Sequence, residues 1–324
     1  MAFRLKLVPD NTAIDFFRWQ LLTFGISSLL AVLSVVALFI FGLNFGIDFR
    51  GGTTIRTEAT QAVDVGAYRQ ALQPLKLGDV VISRVSDPSF RADQYVAQVR
   101  ISAQDGQQSV TPETIAAVEA ALKSVDPSVT FPSVESVGPK VSGELIQTAV
   151  YAVLASLVAI SIYIWLRFEW QFALGAMVSL VHDVLITMGV FSVFQLKFDL
   201  TTIAALLTIV GYSINDTVVV FDRLRENLMK YKTRPLRDLM NLSVNETLSR
   251  TVMTSGTTLV ALIALVVLGG DVIRGFVFAI TFGILIGTYS SVYVAKNVVL
   301  WLGVKRDWSK KKDNTSPFSG AEAP

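Results

Sequence analysis

Apolar and polar residues are sharply segregated along this chain. Six apolar runs of roughly twenty residues lie at about 20–42, 145–166, 170–194, 199–221, 251–269 and 276–300. That is the helix length needed to cross a hydrocarbon core of about 30 Å, so each run predicts a transmembrane helix. Only short polar breaks follow the second, third and fifth runs, which therefore pair with their successors as antiparallel hairpins. The segment between the first two runs is patterned differently. TTIRTE (53–58) alternates as a strand does, and VDVGAYRQALQPL (63–75) has helical spacing. DVVISRVSD (79–87) and DQYVAQVRIS (93–102) are strand-like and joined through Pro88. TPETIAAVEAALKSV (111–125) opens with Thr111, Pro112 and Glu113, a helix-start signal, and TFPSVESVG (130–138) is a last strand. The order βαββαβ matches the split βαβ, ferredoxin-like unit. The predicted fold class is an α-helical membrane protein of six transmembrane helices with an α+β ferredoxin-like domain inserted after the first.

Composition agrees with this picture. Of the 324 residues 52% are hydrophobic and only 17% charged, against about 25% charged in soluble domains. Cysteine is absent, which excludes disulfides and thiolate chemistry. The single histidine, His182, leaves no room for a histidine-rich metal site. A net charge of +2 points to no nucleic-acid partner. The sequence contains no HExxH motif, no GxSxG with partners and no GxxxxGK[ST] phosphate loop. The expectation is therefore a protein that is not an enzyme, burns no ATP and carries no cofactor.

Charge placement sets orientation. Arg4, Lys6 and Arg18 precede the first run; Arg223, Arg225, Lys230, Lys232, Arg234 and Arg237 follow the fourth; Lys305, Arg306, Lys310, Lys311 and Lys312 follow the sixth. Six spans put all three segments on one side, which the positive-inside bias makes cytoplasmic. The expected domains are a cytoplasmic N-terminal arm (1–19), a first transmembrane helix (20–42), an α+β domain on the far side (43–144), transmembrane helices two to six with a basic cytoplasmic loop at 222–250 (145–304), and a disordered cytoplasmic tail (305–324). The first run follows charged residues and shows no small-residue cleavage site, so it reads as a retained helix.

Ionisable residues inside spans are costly, about 2.5–3.5 kcal/mol on insertion scales, and commonly mark ion or proton paths. Asp216 lies in the fourth run, and His182 and Asp183 in the third. Around Asp216, residues Thr201, Ala205, Thr208, Tyr212 and Asn215 recur at helical steps and predict one small, polar face. Gly175, Ser179, Asp183 and Thr187 form a similar series on the third span, and Arg250, Thr254, Thr257 and Ala261 on the fifth. Together these predict a polar seam between three spans, with Arg250 and Asp216 near the cytoplasmic end and Asp183 deeper. A carboxylate that alternates between a dry seam and a guanidinium can take up and release a proton. One charge moved through 100 mV is worth about 2.3 kcal/mol. Plainer readings stand beside this one. Arg250 snorkels to the interface, Asp216 sits in a static ion pair, His182 is a satisfied packing residue, and Asp183 only orients His182 or a hydroxyl.

Five motifs occur in order over nearly the whole chain: FGIDFRGGT (45–53), VESVGPKVSGEL (134–145), FEWQFALGAMVSLVHDVLITMGVFSVF (168–194), GYSINDTVVVFDRLREN (211–227) and NETLSRTVMTSGTTL (245–259). They resemble the SecF side of the SecD/SecF family of bacterial protein-export subunits. The resemblance implies half of a resistance-nodulation-division (RND) bundle, with SecD supplying the other half. It implies the bacterial inner membrane, a periplasmic α+β domain, and both termini in the cytoplasm. The implied partners are SecD, the SecYEG channel with SecA acting upstream, unfolded preprotein and the lipid bilayer. The implied function is use of the proton-motive force in preprotein translocation, with protons as the coupling ion. It places Asp216 and Arg250 on the proton path, with His182 and Asp183 matching an HD pair, and Tyr212 and Asn215 lying within the GYSxND motif. Gly51 with Gly52, and Gly138 with Pro139, mark the junctions between membrane helix and outer domain, as hinges or simply as tight turns. The alternative is a self-contained RND-type exporter of small molecules or lipids; six spans and one small outer domain are half of what such exporters carry.

Overall fold

The computed structural model describes residue 9 and residues 12–85, 90–91, 93–102, 110–269 and 271–304. The expected tail at 305–324, much of the N-terminal arm, and Pro88 lie outside the described residues. Six helices are long and apolar enough to cross a membrane. They are α1 (Gln20–Phe41), α5 (Pro139–Arg167), α6 (Trp170–Val193), α7 (Leu200–Lys230), α8 (Leu236–Leu268) and a last span made of α9 (Asp271–Ser290), a π-helical turn (Ser291–Ala295) and α10 (Lys296–Leu302). α6, α7 and α9 form the interior of the bundle, and α1, α5 and α8 flank it with their apolar side chains largely exposed. An outward apolar surface of this kind is what a bilayer solvates.

Between α1 and α5 lie β1 (Asn44–Phe45), α2 (Ile47–Arg50), β2 (Gly52–Ala59), α3 (Val65–Leu72), β3 (Val80–Val85), β4 (Tyr95–Ser102), α4 (Pro112–Val125) and β5 (Thr130–Val137). β2 to β5 form an antiparallel sheet in the order β3-β4-β2-β5. This is the predicted split βαβ arrangement, with both helices on one face over Ile55, Val99, Ile101, Tyr68, Leu72, Val118 and Leu122. Alternation in β2 buries Ile55 and leaves Arg56 half-buried, as its period of two requires. Asp64 caps α3, and Thr111 with Pro112 starts α4.

The junction between domain and bundle is braced. β1 pairs in parallel with β6 (Lys197–Phe198), from the α6–α7 connection, and Asp48 accepts a bond from the Leu200 N–H at 3.1 Å. Gly51 and Gly52 adopt φ of 70° and 123°, a region closed to most side chains. Gly138 instead has an ordinary φ of -72° at the N-cap of α5, and Pro139 takes the first helical position. Glycine is thus obligatory at the first junction only.

One expectation needs correction. The basic stretch 222–250 is not a loop: α7 and α8 run through it and leave only residues 231–235 as a turn. Buried Leu224, Leu228, Leu239 and Met240 hold the extensions together, and Asn227 donates to Ser243 Oγ at 3.0 Å and to Glu246 at 2.7 Å. Arg223 bonds both Glu226 and Glu246. Lys296 lies inside the last span and its side chain is 1% exposed. Its ammonium donates to the Phe16 carbonyl at 3.0 Å and lies 3.9 Å from the Phe17 ring centre, so it fastens the segment before α1 into the bundle.

Candidate functional site

Among the described residues the interior of the bundle contains two carboxylates, and they have different surroundings. Asp216, on α7, is 3% exposed and accepts a bond from Ser255 Oγ of α8 at 3.3 Å. Ser255 in turn contacts Thr288 Oγ1 of α9 at 2.8 Å. Asp183, on α6, is 1% exposed. Its Oδ2 accepts from Ser213 of α7 at 2.6 Å and from Ser290 of α9 at 2.8 Å, and its Oδ1 faces His182 Nδ1 at 2.9 Å. Ser179 donates to Ser290 at 2.9 Å and completes this cluster. The two carboxylates thus reach α9 through different hydroxyls, Thr288 for one and Ser290 for the other.

The helical faces explain this division. Ser213, Asp216 and Thr217 point inward on α7 and are all buried. The predicted face of Asp216 was broader, and the structure splits it. Ala205 is buried, Tyr212 is half-buried and bonds Thr258 at 3.5 Å, and Thr201, Thr208 and Asn215 point out of the bundle. Asn215 therefore does not join Asp216. On α6 the series Gly175, Ser179, Asp183 and Thr187 is buried throughout. On α8 the inward series is Ser243, Thr247, Thr251 and Ser255, one position on from the predicted Arg250 series, which lies outward or half-buried. The sequence reading missed Ser213, Ser255, Thr288 and Ser290. A search for hydroxyls at steps of four on α8 exposes the Ser243–Ser255 series.

Arg250 is exposed and lines a cleft at the basic end of the bundle with Arg167, Asp222, Arg223, Glu226 and Glu246. Among the described residues no ion pair joins it to Asp216. A static Asp216–Arg250 pair is therefore not what holds the carboxylate. Among the described residues no three His, Cys, Asp or Glu side chains are grouped to hold a metal ion.

A six-span bundle with two buried carboxylates and a ferredoxin-like insertion defines a multi-pass membrane protein with an ionisable interior. Residues 117–305 match the family model of the protein export membrane protein SecD/SecF, C-terminal, and residues 36–63 match the SecD/SecF GG motif. The protein translocase subunit SecF of Cereibacter sphaeroides is 71% identical over 311 residues, 96% of each chain. That of Rhodobacter capsulatus is 65% identical over 325 residues, 98% of each chain. The crystal structure of SecDF, a translocon-associated membrane protein from Thermus thermophilus, superposes with a TM-score of 0.80 at 38% identity over 91% of this chain. SecDF in its super-membrane-facing form gives a TM-score of 0.67. The chain spans 39% of the SecDF chain in each case. It belongs to the SecD/SecF family, on its SecF side.

Proposed function

We propose that this chain is a non-enzymatic, proton-coupled subunit that pairs with SecD and assists Sec-dependent translocation of preproteins across the bacterial inner membrane. Protons are its coupling ion, and it needs no other cofactor. SecYEG is the channel it serves, SecA acts upstream, and unfolded preprotein is the substrate. Both termini face the cytoplasm and the α+β domain faces the periplasm, as the basic segments favour. The observation that carries the reading is Asp216: a carboxylate buried in a span that, among the described residues, accepts one side-chain bond, from the Ser255 hydroxyl. Such a group has little structural use in a membrane interior and is suited to binding and releasing a proton.

A second feature supports SecD as the partner. Thr201, Ala204, Thr208, Gly211 and Asn215 recur at steps of three and four on the outside of α7 and are all exposed. Small and hydroxyl residues at this spacing let another membrane helix approach closely. The proposal predicts that Asp216→Asn, introduced into cells that lack their own SecD/SecF function, fails to restore secretion of a reporter preprotein yet still co-purifies with SecD. Arg250→Met behaves the same way. Wild-type secretion by Asp216→Asn at normal expression contradicts the reading.

A further inference from the structure

The last span is not one continuous α-helix. Residues Ser291–Ala295 form a π turn between α9 and α10. A single π turn inserts one extra residue into a helix. Everything after it is therefore rotated by about 100° and displaced by about 1.5 Å relative to an unbroken helix. Side chains satisfy carbonyls around the turn. Ser290 Oγ donates to Gly287, Ser291 Oγ to Thr288 and Asn297 Nδ2 to Tyr293, at 3.1, 3.0 and 2.7 Å. One cost remains. Asn297 is fully buried, and its Oδ1 has no partner among the described residues. A buried acceptor left unpaired is costly, so this register needs support from outside the turn.

The segment before α1 supplies it. Residues 12–17 lie across α8 and the last span. Asn245 of α8 reads both polar groups of one residue: its Oδ1 accepts the Ile14 N–H and its Nδ2 donates to the Ile14 carbonyl, each at 2.9 Å. One turn earlier, Asn241 Oδ1 accepts the Phe16 N–H at 2.9 Å. The Phe16 ring packs with Val220, Val244 and Val292, the last within the π turn, and meets Tyr293 edge-on. Lys296 is the first residue after the turn. Among the described residues its ammonium donates to the Phe16 carbonyl alone, and no carboxylate pairs with it. With α9 in place, an unbroken helix would point Lys296 about 100° away from that carbonyl. The Lys296–Phe16 bond and the π turn therefore require one another.

We infer that residues 12–17 form a releasable strap that holds the π turn, and that freeing the strap lets residues 291–295 relax into ordinary helix and rotates α10. Two features make release feasible. The strap is held by the side chains of Asn241, Asn245 and Lys296, while Ala13, Ile14 and Asp15 lie exposed. α10 has only seven residues, and its last two are exposed, so its rotation disturbs little of the bundle. The inference does not rest on the proton-coupled reading.

Cysteine is absent, so introduced cysteines are the only sites that take a label. Full-length protein carrying Leu166→Cys on α5 and Leu302→Cys on α10, both exposed positions, is spin-labelled in lipid nanodiscs. The distance between the labels is measured by double electron–electron resonance, and hydrogen exchange of residues 12–17 is followed in parallel. Asn241→Ala combined with Asn245→Ala frees the strap without altering the last span; Lys296→Met frees it from the other side. Each is expected to quicken exchange of the strap at least about tenfold, as the loss of hydrogen bonds implies, and to add a second label distance. A 100° rotation of a helix about 10–12 Å across moves a surface label by up to about 8 Å. Faster exchange of the strap with an unchanged label distance overturns the inference and leaves the segment a plain packing contact. Strap exchange that neither variant alters overturns it as well.

Discussion

Asp216 and Asp183 show how two carboxylates in one bundle acquire different chemistry. Asp183 belongs to a filled cluster with His182, Ser213 and Ser290, whereas Asp216 accepts from the Ser255 hydroxyl. Ser255→Ala removes that hydroxyl while leaving helix packing intact. It is expected to lower proton-dependent export several-fold, without changing the amount of complex recovered. Lys296→Met keeps the volume of the buried side chain but breaks its bond to the Phe16 carbonyl. Limited proteolysis should then cut the segment before α1 faster than in the wild type. The two carboxylates were legible in the sequence because a charge within an apolar run is conspicuous. Their hydroxyl partners were not, because Ser and Thr are common in spans. On α8 a series starting at Arg250 and another starting at Thr251 both fit helical spacing. Only packing against α7 and α9 selects the second. Lys296 was hidden for another reason. Near the end of an apolar run a lysine reads as an interfacial anchor, and its burial depends on a chain segment far away in sequence.

At the scale of elements, α7 connects the two functional ends of the molecule. Its first turn is held by the capping box of Asp199 and by Asp48, which reaches over from α2. The helix then continues without interruption past Asp216 to Lys230. One uninterrupted helix therefore links Asp216 to the junction with the α+β domain. Asp48→Ala removes one cap, a loss of about 1 kcal/mol. Hydrogen exchange at the first turn of α7 should quicken, while exchange within the sheet stays the same. Burial alone would raise the Asp199 carboxyl, but bonds from the Thr201 hydroxyl and the Thr202 N–H, with Lys197 beside it, hold it below the usual range. Its contribution to stability is therefore complete above the ordinary carboxylate range and is lost as the pH falls through that range and below. Gly52→Ala forces a Cβ into a φ of 123° and should lower the thermal midpoint more than Gly138→Ala, whose φ of -72° suits alanine. The six spans and the βαββαβ order were legible because period and length are strong signals. The helical ends of α7 and α8 were not. Their polar, basic surface looks like a loop, and they are helical because Leu224, Leu228, Leu239 and Met240 bury one another across the turn.

For the whole molecule, the exposed stripe on α7 and the coverage of 39% of the SecDF chain both fit the proposal of a half-bundle that pairs with a second half. Gly211→Leu places a bulky side chain in that stripe, on a residue with open space around it. The isolated chain should keep its thermal midpoint, and recovery of SecD in co-purification should fall. A partner face of this kind was only partly legible: the sequence showed small and polar residues at helical steps, but not which of them point outward. The central claim is that Asp216 couples proton movement to export. Its most direct test is preprotein export into inverted membrane vesicles containing the intact translocase, with and without an imposed proton gradient, for wild type and Asp216→Asn. The account predicts that the gradient stimulates export in wild-type vesicles and has no effect in Asp216→Asn vesicles, at equal levels of complex and equal gradient-free export. Equal stimulation of both contradicts it.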